Sequence, residues 1–324
     1  MTWSLLLVPM AWRFWHSGPK LPDTPSPEDL EAMRWMAAKR KPVVMLRPRR
    51  AQCPLPVGAS KMGGRPDLPA RAEWPQCPNC AIPLNFIMQL LRRDFPEFPF
   101  PARAEQAALF RCPRRRDCGK SDRHIAWHFY GGASSPSLAP RLMPSLPDEP
   151  TVIPKHVLKM YADLDGGSLS SETLRIWAPF DPPVPECTFN PVRTGDWPHG
   201  YEDSVEWWGE TFESFRHRHT SDVEFSKVFD EFTDYCTARE GTKVGGFAAW
   251  QQGAAYPNCQ CGRRKEFFFQ LSSQDRDRGP DAGAAADDYR SSDHGIMIGD
   301  AGNIYFFMCP ACGADSIESN WDCG

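Results

Sequence analysis

The sequence predicts a mostly β protein of the α+β class, built from two tandem related β-rich halves. Three observations lead there. An ordered set of residues recurs at a near-constant offset of 182, thirty-three prolines disfavour long helices, and eight of the twelve cysteines fall into two matching quartets. A chain of 324 residues, 41% hydrophobic, is long enough for about two domains with a sizeable core.

The repeat begins at Ser60-Lys61-Met62-Gly63-Gly64 in the first copy and at Thr242-Lys243-Val244-Gly245-Gly246 in the second. Trp74-Pro75 before Cys77 is matched by Tyr256-Pro257 before Cys259. Both copies then alternate as strands do. Leu84, Phe86, Met88 and Leu90 are expected on one face with Gln89 opposite, and Phe267, Phe269 and Leu271 on one face with Gln270 opposite. Each glutamine is expected to hydrogen-bond a neighbouring backbone edge. The copies close alike, with Leu109-Phe110-Arg111-Cys112-Pro113 answering Phe306-Phe307-Met308-Cys309-Pro310, and Trp127 answering Trp321. The glycine pairs mark bends; neither G-x-G-x-x-G nor a Walker spacing is present.

The rest of the chain is arranged around the copies. Residues 1–50 hold an N-terminal helix and a strand: Ser26-Pro27-Glu28-Asp29 gives a cap, a proline at the first helical position and an acidic first turn, and Pro42 stops the helix after Arg40. Val43-Val44-Met45-Leu46 reads as the strand, and Arg47-Pro48-Arg49-Arg50 as a solvated loop. The first repeat with its knuckles takes 51–132. A Pro-rich irregular connection follows over 133–200, with twelve prolines and one short helix at 154–164. Residues 201–324 hold an acidic, aromatic segment and the second repeat, interrupted by a flexible insertion at 274–294. Asp275, Asp277 and Asp281 in that insertion lack the Gly and Glu that a calcium loop needs.

The cysteines carry the chemistry. Cys77 and Cys80 form a C-x2-C pair followed by Cys112 and Cys118, while Cys259 and Cys261 form a C-x-C pair followed by Cys309 and Cys312. Two thiolate pairs on adjacent turns can close a tetrahedral shell, so the pattern predicts two structural zinc ions that substitute for core in a loop-rich fold. Cys53, Cys187, Cys236 and Cys323 stand alone and read as buried or incidental. The two C-P-x-C pairs also have the form of thiol-disulfide exchangers. Redox catalysis is disfavoured, because Cys77-Pro78-Asn79-Cys80 leads into a period-two strand and not a helix N-terminus. No G-x-S-x-G elbow or H-E-x-x-H helix occurs.

Charge points to a partner. Residues 1–132 carry 21 Lys and Arg against 11 Asp and Glu, a net of +10, and residues 133–324 carry 16 against 30, a net of −14. Residues 202–234 contain ten acids and three bases interleaved with aromatics. Glu202, Asp203, Glu206 and Glu210 could steer a basic protein partner while Trp207 and Trp208 anchor it. Nucleic acid, gripped by the basic tip around Arg111, Arg114, Arg115 and Arg116, is the less favoured partner. No stretch has the roughly 18 apolar residues of a membrane helix, and Leu5-Leu6-Leu7-Val8 lacks the flanks of a signal peptide. The expectation is a cytoplasmic protein without a membrane partner.

The combination [Ser/Thr]-Lys-x-Gly-Gly, aromatic-Pro, Cys, Phe-x-x-Gln-Leu and Phe-x-Cys-Pro resembles the YwqG-like family of bacterial proteins and the eukaryotic programmed cell death protein 2, over about 57–132 and 241–324. That resemblance implies a mostly β fold of two related zinc-binding halves. It implies a chaperone for a newly made ribosomal protein in the eukaryotic branch and an immunity-type role against a toxin in the bacterial one. The connection 133–200 contains only Cys187, so the extra MYND-type finger of the eukaryotic protein is absent and the YwqG-like branch is favoured. The resulting expectation is a non-enzymatic, zinc-stabilised, chaperone-like or immunity-type protein-binding module; the alternative is an enzyme acting in the groove between the repeats.

Overall fold

A computed structural model of the chain describes residues 40–114, 118, 124–131, 138–147, 159, 181–196, 238–275 and 292–323. Their strands, in chain order, are β1 (Lys41–Met45), β2 (Pro48–Arg50), β3 (Lys61–Met62), β4 (Asp67–Pro69), β5 (Asn85–Leu91), β6 (Gln106–Arg111) and β7 (Ile125–Tyr130). They continue with β8 (Leu138–Pro140), β9 (Cys187–Phe189), β10 (Val192–Asp196), β11 (Lys243–Gly245), β12 (Glu266–Ser272), β13 (Asn303–Cys309) and β14 (Gly313–Asp322). Among the described residues the fold is mostly β with almost no helix. The helices expected after Ser26 and at 154–164 lie outside the described residues, apart from Lys159, which is helical.

Two open six-stranded sheets carry the structure, in the orders β10-β1-β11-β12-β13-β14 and β2-β9-β3-β5-β6-β7, with β4 and β8 as a separate pair. Among the described residues, one compact unit takes 40–48, 97–99, 190–196, 238–275 and 292–323. The other takes 49–96, 100–114, 118, 124–131, 138–147, 159 and 181–189. So β1, which precedes the first cysteine quartet in sequence, pairs with β11 of the second, while β9 of the long connection pairs with β3.

The strand expected at 43–46 is present as β1. Two expectations are corrected nearby. The basic run after it forms β2 in place of a solvated loop; Pro48 opens that edge strand, where its missing N–H costs no ladder bond. The connection 133–200 contains β8, β9 and β10, because Cys187-Thr188-Phe189 and the residues from Val192 find partner strands far away in sequence.

The expected alternation of β5 is also corrected. Every residue of β5 is buried, and a bulge at Ile87 shifts the register: Phe86 opposes Phe110 but Met88 opposes Leu109. Phe110 and Leu109 are consecutive and so face opposite ways, which puts Phe86 and Met88 on opposite faces and returns Gln89 to the face of Phe86. A bulge at Phe268 does the same to β12, where Phe267 opposes Phe307 and Phe269 opposes Phe306.

The glutamines make the bonds their positions called for. Gln89 accepts from the Asp67 amide at 2.9 Å and donates to the Ala59 carbonyl at 2.6 Å and to Asp67 Oδ2 at 3.0 Å. Gln270 accepts from the Ala249 amide at 2.9 Å and donates to the Gly241 carbonyl at 3.0 Å. Each therefore ties the chain before a Lys-x-Gly-Gly bend to the chain after it. Within those bends, Gly63 has φ +65° and an added Cβ would lie 2.1 Å from the Pro185 carbonyl oxygen, while at Gly246, with φ +73°, it would lie 2.3 Å from Asp196 Oδ2.

The bends also bury lysines. Lys243 is fully buried with its Nζ 2.9 Å from Asp196 Oδ2, and Lys61 is 3% exposed with its Nζ 3.2 Å from Glu186 and 3.4 Å from Asp67. Asp196 in turn accepts from the amides of Arg239 and Phe247. Loss of Lys243 or Asp196 would leave the other's buried charge without its counter-ion.

Of the insertion 274–294, Gln274, Asp275 and 292–294 are described. His294, 1% exposed, accepts at Nδ1 from the Ile296 amide and so donates from Nε2 to Asp275 Oδ2 at 3.0 Å. Asp275 also accepts from the Thr242 hydroxyl at 2.6 Å. The Asp275 that resembles a calcium ligand in sequence is a pin at the root of the insertion.

Candidate metal centres

Each quartet assembles at the end of a strand pair. The first knuckle closes when the Cys77 amide donates to the Ile82 carbonyl and the Ala81 amide donates back to the Cys77 carbonyl, with Ala81 turned to φ +56°. This places Cys77 and Cys80 below β5. Cys112 follows the last residue of β6, where its amide donates to the His124 carbonyl, and Cys118 completes the set before β7. The second knuckle uses the same closure one residue shorter. The Cys259 amide donates to the Arg263 carbonyl and the Gly262 amide to the Cys259 carbonyl, with Gly262 at φ +84°. Cys309 ends β13, its amide held by Ser316 Oγ at 2.9 Å, and Cys312 sits in the turn before β14.

The sulphurs of Cys77, Cys80, Cys112 and Cys118 all lie within 4.8 Å of one another, as do those of Cys259, Cys261, Cys309 and Cys312. Tetrahedral zinc with Zn–S of about 2.3 Å requires sulphurs about 3.8 Å apart. The first quartet has Sγ pairs at 3.2, 3.7 and 3.9 Å, the second at 3.7 and 3.6 Å. A disulfide would need about 2.05 Å, and the described cysteines are all free thiols. Both donor sets therefore fit a metal ion that prefers four soft ligands.

Packing against one another sets the thiols' acidity in the absence of metal. Burial raises Cys77 and carries Cys112 far above the ordinary thiol range. For Cys118 burial also works upward, but hydrogen bonds from Cys77, Cys112 and Asn79 outweigh it and the net shift is down. In the second quartet Cys312 is pushed up to about 12 by the hydrogen bonds it makes to Cys261, Cys259 and Cys309. Cys309 falls to about 7, since backbone amides of Cys312 and Ala311 overcome the upward effect of burial. Four sulphurs this close share a few protons, and a dication is the natural counter-charge for them all.

The surroundings differ. Cys77, Cys112 and Cys118 are part of a core cluster with Leu68, Leu84, Phe86, Ala108 and Phe110, covered by Trp74 and Tyr130. Asn79 Nδ2 adds a 3.8 Å contact to Cys118 Sγ. In the second quartet Cys259 and Cys309 are buried while Cys261 and Cys312 are exposed, and the aromatic cluster of Ala248, Trp250, Tyr305 and Phe307 with Tyr256 and Phe267 contains no cysteine.

All eight cysteines singled out in the sequence are thus brought together in their two sets. Glu202, Asp203, Glu206, Trp207, Trp208 and Glu210 lie outside the described residues, as do Arg115 and Arg116 of the basic tip. The buried Lys61 and Lys243, with Glu186 and Asp196, were not expected; the lysine's recurrence beside both glycine pairs was the available signal. Fold and centres define a mostly β protein with two four-cysteine metal-capable sites. The chain matches no protein-family model and no curated protein. No helix of the described residues is long and apolar enough to cross a membrane.

Proposed function

We propose that the chain is a non-enzymatic, zinc-stabilised protein-binding module of two related halves, of the YwqG-like kind, chaperone-like or immunity-type, whose client is a basic protein. The observation that carries the zinc assignment is the pair of closed four-sulphur sets. Four thiolates leave no open coordination position for a substrate, which is the arrangement of structural and not catalytic zinc. The relation of the halves is supported by the matching bulges at Ile87 and Phe268 and by Gln89 and Gln270, which bridge equivalent backbone groups. Client binding is assigned to the acidic stretch carrying Glu202, Asp203, Glu206, Trp207, Trp208 and Glu210, on its charge and aromatic content.

Replacing Glu202, Asp203, Glu206 and Glu210 together with Gln or Asn tests the client. The partner is the protein that co-purifies stoichiometrically with the native chain, and the readout is its association rate across a salt series, since steering charges act over a Debye length of about 8 Å at physiological ionic strength. The variant should associate more slowly and with less salt dependence while retaining its metal. An unchanged rate would falsify the basic-client reading. Turnover of a small molecule by the native chain, with no stoichiometric protein partner, would favour an enzyme.

A further inference from the structure

We infer that the second centre, Cys259, Cys261, Cys309 and Cys312, is an oxidant-responsive modification site that releases its zinc to a hydroperoxide by forming a disulfide between Cys261 and Cys312, while the first centre holds its ion. The inference rests on the zinc reading above and adds a difference between the sites.

Three observations carry it. Cys261 and Cys312 are exposed, whereas in the first quartet three sulphur-bearing residues are buried and Cys80 is half-buried. The first quartet is woven into an apolar core that keeps water and solutes away; in the second, Cys259 and Cys309 are buried but Cys261 and Cys312 stand outside that shelter. Finally, the outer sides of both second-site turns are open: a Cβ built on Gly262 or Gly313 would meet no atom within 4 Å. Oxidation of cysteine follows thiolate character and access. Zinc-bound sulphur is thiolate in both centres, so access decides between them.

The step balances without any further reactant. One thiolate attacks the O–O bond of the hydroperoxide, expels the alkoxide and becomes a sulfenic acid; the second attacks that sulphur, forms the S–S bond and expels the remaining oxygen. Two protons from solvent convert the two oxygens to alcohol and water, the peroxide takes two electrons, and the two thiolates lose them. The Sγ atoms of Cys261 and Cys312 lie within 4.8 Å, close enough for small movements of the two turns to join them. Zn2+ retains only Cys259 and Cys309 and leaves. A thiol reductant with zinc reverses the change.

The test uses the full zinc-loaded chain. It is treated with hydrogen peroxide, zinc per chain is followed by native mass spectrometry, and the cysteines are followed by isotope-coded alkylation with peptide mapping. One ion should leave on the order of tenfold faster than the other. Its loss should coincide with a Cys261–Cys312 disulfide while Cys77, Cys80, Cys112 and Cys118 stay protected, and dithiothreitol with zinc should restore it. In Cys312→Ser, which lacks one partner of the disulfide, no Cys261–Cys312 link can form and the ion of the first centre should remain inert to the same dose. Loss of both ions together, earlier loss from the first quartet, or release without the disulfide would overturn the inference. Two ions that resist equally would overturn it too and leave the zinc reading standing; a chain that binds no metal would defeat that reading itself.

Discussion

The two cysteine quartets offer the same four sulphurs on the same kind of strand ends, yet one is built into a core and the other leaves two of its four cysteines exposed. In the first, Phe86 and Phe110 pack edge to face at 5.6 Å and Trp74 meets Phe110 at 5.7 Å, and the sulphurs of Cys77, Cys112 and Cys118 belong to that same cluster. In the second the aromatic cluster closes on itself, with Trp250 stacked on Phe307 at 5.8 Å and tilted against Tyr305 at 4.4 Å. A metal site that shares its core with the sheet is coupled to folding; one with half of its cysteines at the surface is expected to be loaded or emptied with the sheet in place. The lesson is that ligand identity sets what a site binds, and packing sets what the binding does.

The largest expected effect comes from breaking each centre in turn. Cys112→Ser should lose one ion and, with it, the order of 10 kcal/mol or more that structural zinc supplies, unfolding β5 to β7. Cys312→Ser should lose one ion while β12 to β14 keep their amide protection. Zinc content and hydrogen exchange check both, and equal unfolding in the two variants would erase the distinction.

Next come the glutamines. Gln89→Leu and Gln270→Leu each leave buried backbone groups unpaired at about 1–3 kcal/mol apiece, so urea denaturation should show losses of about 2–5 kcal/mol. Gln89→Leu should cost the more, because it also removes the bond to Asp67 Oδ2. Smaller still is the pair of glycine changes. Gly63→Ala places a methyl against the Pro185 carbonyl in a left-handed backbone and should cost about 2–3 kcal/mol, whereas Gly313→Ala, with open space around it, should cost only the backbone term of about 1 kcal/mol. A similarly small effect is expected at the half-exposed Glu318, which pairs with the buried Lys265; Glu318→Gln keeps an acceptor for the ammonium and should change stability by about 1 kcal/mol.

Much of this was legible in the sequence because cysteine spacing, bend glycines and strand periodicity are local signals. The eight clustered cysteines, the strands around Phe86 and Phe267, and the role of Gln89 and Gln270 all follow from residues close together or repeated. What escaped is non-local. The bulges at Ile87 and Phe268 leave no mark in a period-two pattern whose residues are apolar on both faces, so the side of the sheet that Phe86 shares was misassigned. Cys187-Thr188-Phe189 is too short to signal a strand by itself and becomes one by pairing with Lys61 and Met62, and β1 joins β11 across about two hundred residues of chain. The His294 and Asp275 pair was hidden for the same reason: each is unremarkable until the ends of the insertion meet.

Native mass spectrometry, with elemental analysis, of the chain purified without chelator or added metal tests most directly whether both quartets hold zinc. Two zinc ions per chain are expected, with the eight quartet thiols protected from alkylation until the metal is removed. A folded chain with no bound metal, in which those eight thiols react freely, would contradict the zinc assignment.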